Sequence, residues 1–327
     1  MLHRTICWLS RICAFTFLII LALPIGAQEY PAKLVRFVVP QAPGGATDVF
    51  ARAVGQRLSA RWGQPVVVEN RAGAAGTLGT DVVAKSPADG YTLLVTYAGS
   101  QAINQSLYPK LPFDSVKDFQ TVATLAVTPF FLIVNRSVPA KDLREFIALA
   151  RKKPDAVTYA SSGNGSVNHL LGEMLKLETG IRMLHVPYKG VAQLITDVMS
   201  GQVDAGFASV PSVLQHVNSE RVRAVAVTSA KRISVAPNVS TIAESGVPKF
   251  DVNPWWGILA PAGTDLRIVR KINADVADVL KTAEMQSFFG AQGADTFLTT
   301  PEQLLKILVA DVEKWAKVVK ASGARID

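Results

Sequence analysis

Cysteine is missing from almost all of this 327-residue chain, because both cysteines, Cys7 and Cys13, lie near the N-terminus. Beyond them, a disulfide, a cysteine nucleophile and a cysteine-ligated metal are excluded. Histidine is nearly as scarce. His169, His185 and His216 follow the N-terminal region, and none has the His-x-x-x-His or His-x-Glu spacing of a zinc site. The sequence therefore predicts no metal.

Catalytic and nucleotide-binding motifs are absent as well. The chain has no Gly-x-Ser-x-Gly nucleophile elbow and no Gly-Lys-Ser/Thr phosphate loop. Its carboxylates are scattered, so the sequence places no pair of them for acid and base catalysis. We expect a protein that is not an enzyme and that binds no cofactor.

Long apolar runs are confined to the N-terminus, where Arg4 and Arg11 precede an almost wholly apolar stretch that ends in small residues at Ala27. This order is typical of a secretory signal peptide, and the run is shorter than the roughly 20 residues of a membrane span. We expect residues 1–27 to be removed on export. The rest of the chain is then expected to be a soluble exported protein.

Charge of either sign is spread along the chain without a lysine- or arginine-rich tract. The 34 basic and 26 acidic residues leave a formal net charge of +8, which favours anionic ligands mildly and does not predict a nucleic-acid partner. A hydrophobic content of 49% in a chain of this length is enough for two domains, each with its own core.

Short β-rich runs alternate with helical stretches from Tyr30 onward, which predicts parallel βαβ units. A second alternation begins near Ala140 and ends near Asp251. The sequence therefore predicts one domain from residues 28–130 plus 252–327 and a second from residues 131–251, joined by a two-segment hinge around a ligand cleft. Residues 99–118 are expected to form a polar connection, and residues 124–134 are expected to form a strand.

Two glycine-rich turns each follow a predicted strand and precede a predicted helix. The first contains Gly44 and Gly45, and the second contains Gly73 and Gly76. Glycine lets a ligand approach the backbone closely, and the free N–H groups of a first helical turn attract anions. Each turn is therefore a candidate site for a carboxylate, although an ordinary strand-to-helix turn would have the same sequence.

Three turns of the second predicted domain offer polar side chains at strand ends. Ser162 and Ser166 flank a glycine-rich turn, Tyr188 and Lys189 follow the next strand, and Ser209 ends another. Hydroxyl groups before a helix can bind a carboxylate, but they can equally cap that helix, and Lys189 can be an ordinary solvated lysine. Trp255 and Trp256 can line a ligand pocket, but they lie on a predicted returning strand, so we expect them on opposite faces, with at least one in the core.

An ordered set of short motifs resembles the periplasmic substrate-binding proteins of tripartite tricarboxylate transporters, the Bug or TctC-type family. The set extends over essentially the whole chain after residue 27. Its parts are Val39-Pro40, Pro43-Gly44-Gly45-x-x-Asp48-x-x-Ala51-Arg52, Val68-Glu69-Asn70-Arg71-x-Gly73-Ala74-x-Gly76-x-x-Gly79, Asp89-Gly90-Tyr91-Thr92-Leu93, Leu111-Pro112-Phe113-Asp114, Ser162-Gly163-x-Gly165-Ser166 with His169-Leu170, Val186-Pro187-Tyr188-Lys189-Gly190, and Gly201-Gln202-Val203-Asp204.

The resemblance implies a two-lobed α/β fold of the periplasmic-binding-protein type, type II-like, that closes over a small carboxylate. In the family, backbone amides of the two glycine loops hold one carboxylate. Carried over by position, the ligand-binding residues are Gly44, Gly45, Ala46, Thr47 and Asp48 in the first loop, Gly73, Ala74, Ala75, Gly76 and Thr77 in the second, and Ser162, Ser166, Tyr188 and Ser209 in the other lobe. Gln41 replaces an aromatic residue that the family often has, at a position near the distal part of the ligand.

The resemblance also implies partners and leaves two other functions open. The implied ligand is a di- or tricarboxylate, an amino acid or an aromatic acid, and the implied partners are the membrane subunits of a tripartite tricarboxylate transporter. We expect a monomer. A sensor that signals to a membrane receptor would share every binding residue, and a secreted enzyme that processes a carboxylate would need a nucleophile, a base or a metal.

Overall fold

The computed structural model describes residues 30–325. The predicted signal peptide, residues 1–27, lies outside this part of the chain. By its internal contacts the chain divides into residues 1–32 and residues 33–327, and every helix and strand described below belongs to the second unit. Within residues 30–325, no helix is both long enough and apolar enough to cross a membrane.

Strands and helices alternate along the chain. The strands are β1 (Val35–Val39), β2 (Val66–Asn70), β3 (Thr92–Tyr97), β4 (Phe119–Val127), β5 (Phe130–Val134), β6 (Thr158–Ser161), β7 (Leu184–Pro187), β8 (Ala205–Ser209), β9 (Arg223–Val227), β10 (Trp255–Pro261) and β11 (Asp295–Thr296). The helices are α1 (Ala46–Trp62), α2 (Thr77–Ala84), α3 (Asn104–Leu107), α4 (Leu143–Lys152), α5 (Val167–Thr179), α6 (Val191–Ser200), α7 (Val210–Asn218), α8 (Leu266–Lys281), α9 (Ala283–Ala291) and α10 (Pro301–Ser322). A 3₁₀ turn (Ala74–Gly76) precedes α2, and a π-helical turn (Gly99–Ile103) precedes α3.

Two mixed sheets form the cores of two lobes. The first sheet has the strand order β11-β4-β10-β3-β1-β2, in which β1 pairs in parallel with β2 and β3 while β10 runs antiparallel to β3 and β4. The second has the order β7-β6-β8-β5-β9, in which β6 pairs in parallel with β7 and β8, and β5 runs antiparallel to β8 and β9. The predicted two-lobed α/β fold is confirmed.

The chain passes between the sheets at two adjacent segments. Residues 128 and 129 join β4 of the first sheet to β5 of the second, and a longer connection returns from β9 to β10. The Thr128 N–H donates to the Pro254 carbonyl at 3.3 Å, and the hydroxyl of Thr228 donates to the Val252 carbonyl at 2.7 Å. The first bond holds the two crossing segments side by side, and the second lies within the returning connection.

The structure corrects two predictions about these connections. Residues 124–134 are not one strand, because they supply the end of β4 and the whole of β5, which lie in different sheets. Pro129 at the break has no N–H for a sheet hydrogen bond. Residues 99–107 are helical, where the sequence predicted an irregular polar connection. The buried side chain of Gln101 donates to the Ser115 carbonyl at 2.8 Å, so long-range contacts stabilise this turn.

Candidate ligand-binding cleft

A cleft of about 340 Å³ lies between loops that follow strands of both sheets. Most of the predicted site residues line it. They are Gln41, Gly45, Ala46, Thr47, Gly73, Ala74, Ala75, Gly76, Ser162, Ser166, Tyr188 and Ser209. The structure does not bring Gly44, Asp48 or Thr77 to the cleft lining.

The first loop, residues 40–48, joins β1 to α1. Gly44 has φ = +85°, and its N–H donates to the Asp48 carboxylate at 3.1 Å. Helix α1 starts at Ala46, and its N-cap residue, Gly45, provides no side-chain cap. Consequently the N–H groups of Ala46 and Thr47, which line the cleft, have no acceptor within residues 30–325. Free amides at a helix N-terminus provide a site for an anion.

Asp48 supports this loop from outside the cleft lining and remains ionised. Burial alone would raise the pKa of its carboxyl group. The hydrogen bond from Arg52, then the Gly44 N–H and the Asn70 amide, together hold that pKa below its ordinary value. The side chain is buried, and Arg52 Nε donates to it at 3.0 Å. Asp48 therefore holds the loop, and its paired charge does not face the cleft.

The second loop, residues 72–77, joins β2 to α2 and has an unusual backbone. Four consecutive residues have positive φ: Gly73 (136°), Ala74 (46°), Ala75 (53°) and Gly76 (90°). The Gly76 N–H donates to the Gly73 carbonyl and the Thr77 N–H donates to the Ala74 carbonyl. The N–H of Ala75 has no acceptor within the described residues, so it is free for a ligand at the cleft wall.

A chain of polar side chains links the two loops. Arg52, besides binding Asp48, donates to the Asn70 side-chain oxygen at 2.9 Å, and the Asn70 amide donates to the Gln41 carbonyl at 3.1 Å. The Gln41 amide in turn donates to the Ser100 hydroxyl at 2.7 Å. Arg52, Asn70 and Ser100 were not predicted as site residues. Arg52 and Asn70 belonged to the motifs, but nothing in the sequence showed that they contact each other.

The second lobe contributes side chains that already bind one another. Ser166 caps α5 by accepting from the His169 N–H, and the Ser162 hydroxyl donates to Asn168 at 2.7 Å. The hydroxyl groups of Ser209 and Ser212 lie 2.7 Å apart. Ser162, Ser166 and Ser209 thus have structural partners in addition to their places at the cleft. The capping interpretation is confirmed for Ser166, and ligand binding by these serines stays a prediction.

Tyr188 and Lys189 complete this wall. Burial, with the hydrogen bond and charge of Asp197, raises the pKa of Tyr188 to about 12, so its hydroxyl stays protonated. Lys189 is exposed at the cleft edge. It is the charged residue among the lining residues, which otherwise are neutral. A cleft with this composition fits an anion better than a cation.

Aromatic rings form part of the lining, and of these Tyr97 and Phe130 were not predicted from the sequence. Trp256 stacks on Tyr97 at 5.5 Å and on Phe130 at 6.5 Å between ring centroids, and its indole N–H donates to the Thr47 hydroxyl at 3.0 Å. Trp255 is also buried, and its indole N–H donates to Asp311 away from this cleft. Both tryptophans lie in the interior, and Trp256 also lines the cleft, which confirms the expectation of at least one core tryptophan.

Within the described residues, no group of three or more histidine, cysteine, aspartate or glutamate side chains is placed to hold a metal ion. The lining combines free backbone amides of the first lobe with hydroxyl and amide side chains of both lobes and with aromatic rings. Such a cleft can bind a small polar molecule by hydrogen bonds.

Comparison with known protein families identifies the chain. Residues 50–324 match the family model described as the tripartite tricarboxylate transporter family receptor, TctC. The chain belongs to this family. The predicted resemblance is confirmed, and the TctC family is one of solute-binding receptors. Protein BugT of Bordetella pertussis is 38% identical over 307 residues, which cover 94% of this chain and 94% of that protein.

Two solved structures of similar proteins contain small carboxylates. The Rpa4515 protein of R. palustris, solved with adipate, has a TM-score of 0.88 and 34% identity, covering 91% of this chain and 99% of that one. MatC of Rhodopseudomonas palustris, solved with bound malate, has a TM-score of 0.83 and 32% identity, covering 89% of this chain and 100% of that one. Both similarities extend over both lobes of this TctC-family receptor.

Proposed function

We propose that this receptor binds a small organic carboxylate in the cleft between its lobes without changing it chemically. One carboxylate group accepts hydrogen bonds from the free N–H groups of Ala46, Thr47 and Ala75, which lie on two loops of the same lobe. The single observation that carries the proposal is the presence of these unpaired amides on one cleft wall. Similar proteins that were solved with adipate and malate support it.

The remainder of the ligand faces the second lobe in this proposal. Ser162, Ser166, Tyr188 and Ser209 offer polar groups there, and Lys189 offers a positive charge at the edge. The free amides lie on the first lobe and these side chains on the second. We therefore infer that the first lobe holds the carboxylate common to all ligands, while the second lobe and Gln41 select among them.

We further propose the cellular setting and the division into lobes. The chain is exported to the periplasm after removal of residues 1–27, works as a monomer, and delivers its ligand to the membrane subunits of a tripartite tricarboxylate transporter. One lobe comprises residues 28–130 plus 252–327, and the other residues 131–251. The two crossing segments beside Thr128 and Pro254 support this division, although Phe130 already pairs with Ser209 in the second sheet.

Isothermal titration calorimetry with C4 to C6 dicarboxylates, citrate, amino acids and benzoate tests the proposal. A ligand present at about 100 times its dissociation constant should also raise the free energy of unfolding by roughly 2.7 kcal/mol. We expect at least one acid to bind. Absence of heat and of any rise in melting temperature across the panel would contradict the proposal. Mass spectrometry of the recovered ligand should show it unchanged, whereas turnover would indicate an enzyme.

A proline substitution removes one proposed donor without removing a side chain. Ala46 is the first residue of α1, where proline is well tolerated, and the preceding Gly45 has the extended conformation (φ −82°, ψ 167°) that proline requires of its neighbour. Ala46→Pro should weaken binding about 10-fold or more, because a hydrogen bond to a charged group contributes about 1.5–3 kcal/mol.

The matched control makes the same change at the start of another helix. Leu266 is the exposed first residue of α8 and lies outside the cleft lining, and the preceding Asp265 has φ −51° and ψ 128°, a conformation that proline also allows in its neighbour. Leu266→Pro should leave affinity at the wild-type value. Equal affinities of both variants, with unchanged melting temperatures, would remove the first loop from the binding site.

A further inference from the structure

Residues 99–108, which connect β3 to the rest of the first lobe, contact both glycine loops. Ser100 accepts the hydrogen bond from Gln41 of the first loop. In the second loop, the Asn104 side-chain amide donates to the Ala75 carbonyl at 3.0 Å, and the Tyr108 hydroxyl donates to the Ala74 carbonyl at 2.7 Å. The segment starts with a π-helical turn, a feature that is frequent at functional sites.

The second loop needs this support because its backbone is strained. Ala74 and Ala75 both occupy the left-handed region, which costs roughly 1–2 kcal/mol for each residue that carries a Cβ atom. A hydrogen bond to a backbone carbonyl contributes about 1 kcal/mol net. The two bonds from Tyr108 and Asn104 together contribute about 2 kcal/mol and so offset half or more of a strain of about 2–4 kcal/mol, which makes the loop conformation depend on them.

The same bonds set the direction of the free amide. In a trans peptide the N–H of Ala75 points opposite to the carbonyl of Ala74. That carbonyl accepts two hydrogen bonds, from the Tyr108 hydroxyl and from the Thr77 N–H. Asn104, of which only 1% is exposed, fixes the next carbonyl along the chain. With both carbonyls held, the Ala75 N–H keeps one orientation at the cleft wall.

We propose that Tyr108 and Asn104 are positioning residues that hold the Ala74–Ala75 backbone in its ligand-binding conformation and so set the affinity for the carboxylate. The inference rests on the proposed carboxylate binding. Tyr108 and Asn104 act through the Ala75 amide, which binds the carboxylate group that all the acids share. They strengthen binding of every carboxylate by the same factor and do not select among them.

The first test needs no ligand. In ¹⁵N relaxation measurements on the ligand-free protein, the amide of Ala75 should have an order parameter near 0.85 in the wild type and below about 0.6 in Tyr108→Phe and in Asn104→Ala. The amides of Ala46 and Thr47 in the first loop should not change. An Ala75 amide that stays as rigid in both variants as in the wild type would overturn the inference.

The second test measures affinity by calorimetry with malate, adipate and any other acid of the panel that the wild type binds. Tyr108→Phe should lower affinity about 5- to 10-fold for each acid, by the same factor for short and long ligands. Tyr91→Phe makes the same change outside the cleft lining and should leave the affinity for every acid unchanged. A loss that differs more than about threefold between acids would show that Tyr108 contacts the distal part of the ligand, which overturns a positioning role.

The two tests separate failure of this inference from failure of the proposed function. If the wild type binds no acid of the panel, the proposed function fails, while the relaxation measurement still decides whether Tyr108 and Asn104 hold the loop. If the wild type binds and Tyr108→Phe binds equally well, only the positioning role is overturned.

Discussion

The two glycine loops of the cleft follow neighbouring parallel strands, yet they are held by different kinds of contact. The first loop is supported by an ionised side chain from its own helix, because Asp48 accepts the N–H of Gly44 only four residues before it. The second is supported by neutral side chains from residues 99–108. Tyr108 lies 34 positions after Ala74, and Asn104 lies 29 positions after Ala75.

The two loops also differ in backbone conformation. The first loop has one residue with positive φ, Gly44, where the conformation costs little. The second loop places two alanines in that region, so its conformation depends on bonds from elsewhere in the fold. The comparison teaches that similar glycine-rich turns can expose similar amides with different support. A charged side chain of the following helix helps to hold the first turn, where Gln41 and Thr47 also have long-range partners, whereas neutral side chains from residues 99–108 hold the second.

The largest effect is expected where the loops pack together. A Cβ atom on Gly79 would lie 2.7 Å from the Arg71 carbonyl oxygen and 2.8 Å from the Cα atom of Pro40, and both are backbone atoms that cannot move aside cheaply. Gly79→Ala should lower the free energy of unfolding by about 3 kcal/mol, as measured by urea denaturation. Gly290→Ala, a helical position with no neighbour within 4 Å, should be neutral or slightly stabilising. Equal stabilities would show that the two loops are not tightly packed.

The ionic support of the first loop should make its stability depend on pH. Asp48→Asn should lower the free energy of unfolding by about 1.5 kcal/mol at pH 7, because a buried group loses a charged partner. The folded-state pKa of Asp48 is lowered, so its stabilisation is present above the unfolded value of about 3.9 and is lost as the pH falls through the lower folded value.

Denaturation curves at pH 7, 4 and 3 check this prediction. The difference between wild type and Asp48→Asn should shrink at pH 3. The difference between wild type and Tyr108→Phe should stay constant over the same range, because no ionised group takes part in the hydroxyl–carbonyl bond of the second loop. A constant difference for Asp48→Asn would contradict the assignment of ionic support to the first loop.

The smallest changes in stability are expected from substitutions that alter only the backbone conformation, and their causes should differ between the two loops. Gly44→Ala should cost about 1 kcal/mol from its positive φ alone, since no atom lies within 4 Å of the added Cβ. Ala75→Gly should relieve strain but add entropy to the unfolded chain, so its stability should stay within about 0.5 kcal/mol of wild type. Thermal unfolding of the two variants measures both changes in stability. A loss above 1 kcal/mol in Ala75→Gly would show that Ala75 is not strained.

Features that depend on neighbouring residues could be predicted from the sequence. The strands β1 and β2, the helices that follow them and the two glycine turns were all visible in local patterns, as was the capping box of Thr300 and Gln303 at the start of α10. Most of the site residues followed from the family motifs, and the structure brings them to one cleft.

Features that depend on distant residues could not be predicted from the sequence. The positive φ of Ala74 and Ala75 has no sequence signal, because alanine rarely adopts it and only the bonds from Tyr108 and Asn104 explain it. The helical turn that carries Asn104 lies in a stretch that was predicted as an irregular connection. The role of Trp256 in the cleft likewise required knowing that its strand lies beside Tyr97.

The sequence by itself determined the strands and helices that flank the two glycine turns, the turns themselves and the family, because apolar periodicity and glycine content are properties of short segments. The tertiary structure alone decided which amides remain free and what holds them. A backbone N–H is available to a ligand only if no other part of the folded chain accepts its hydrogen bond. That condition depends on residues such as Tyr108 and Ala74, which are far apart in sequence and meet only in the folded protein.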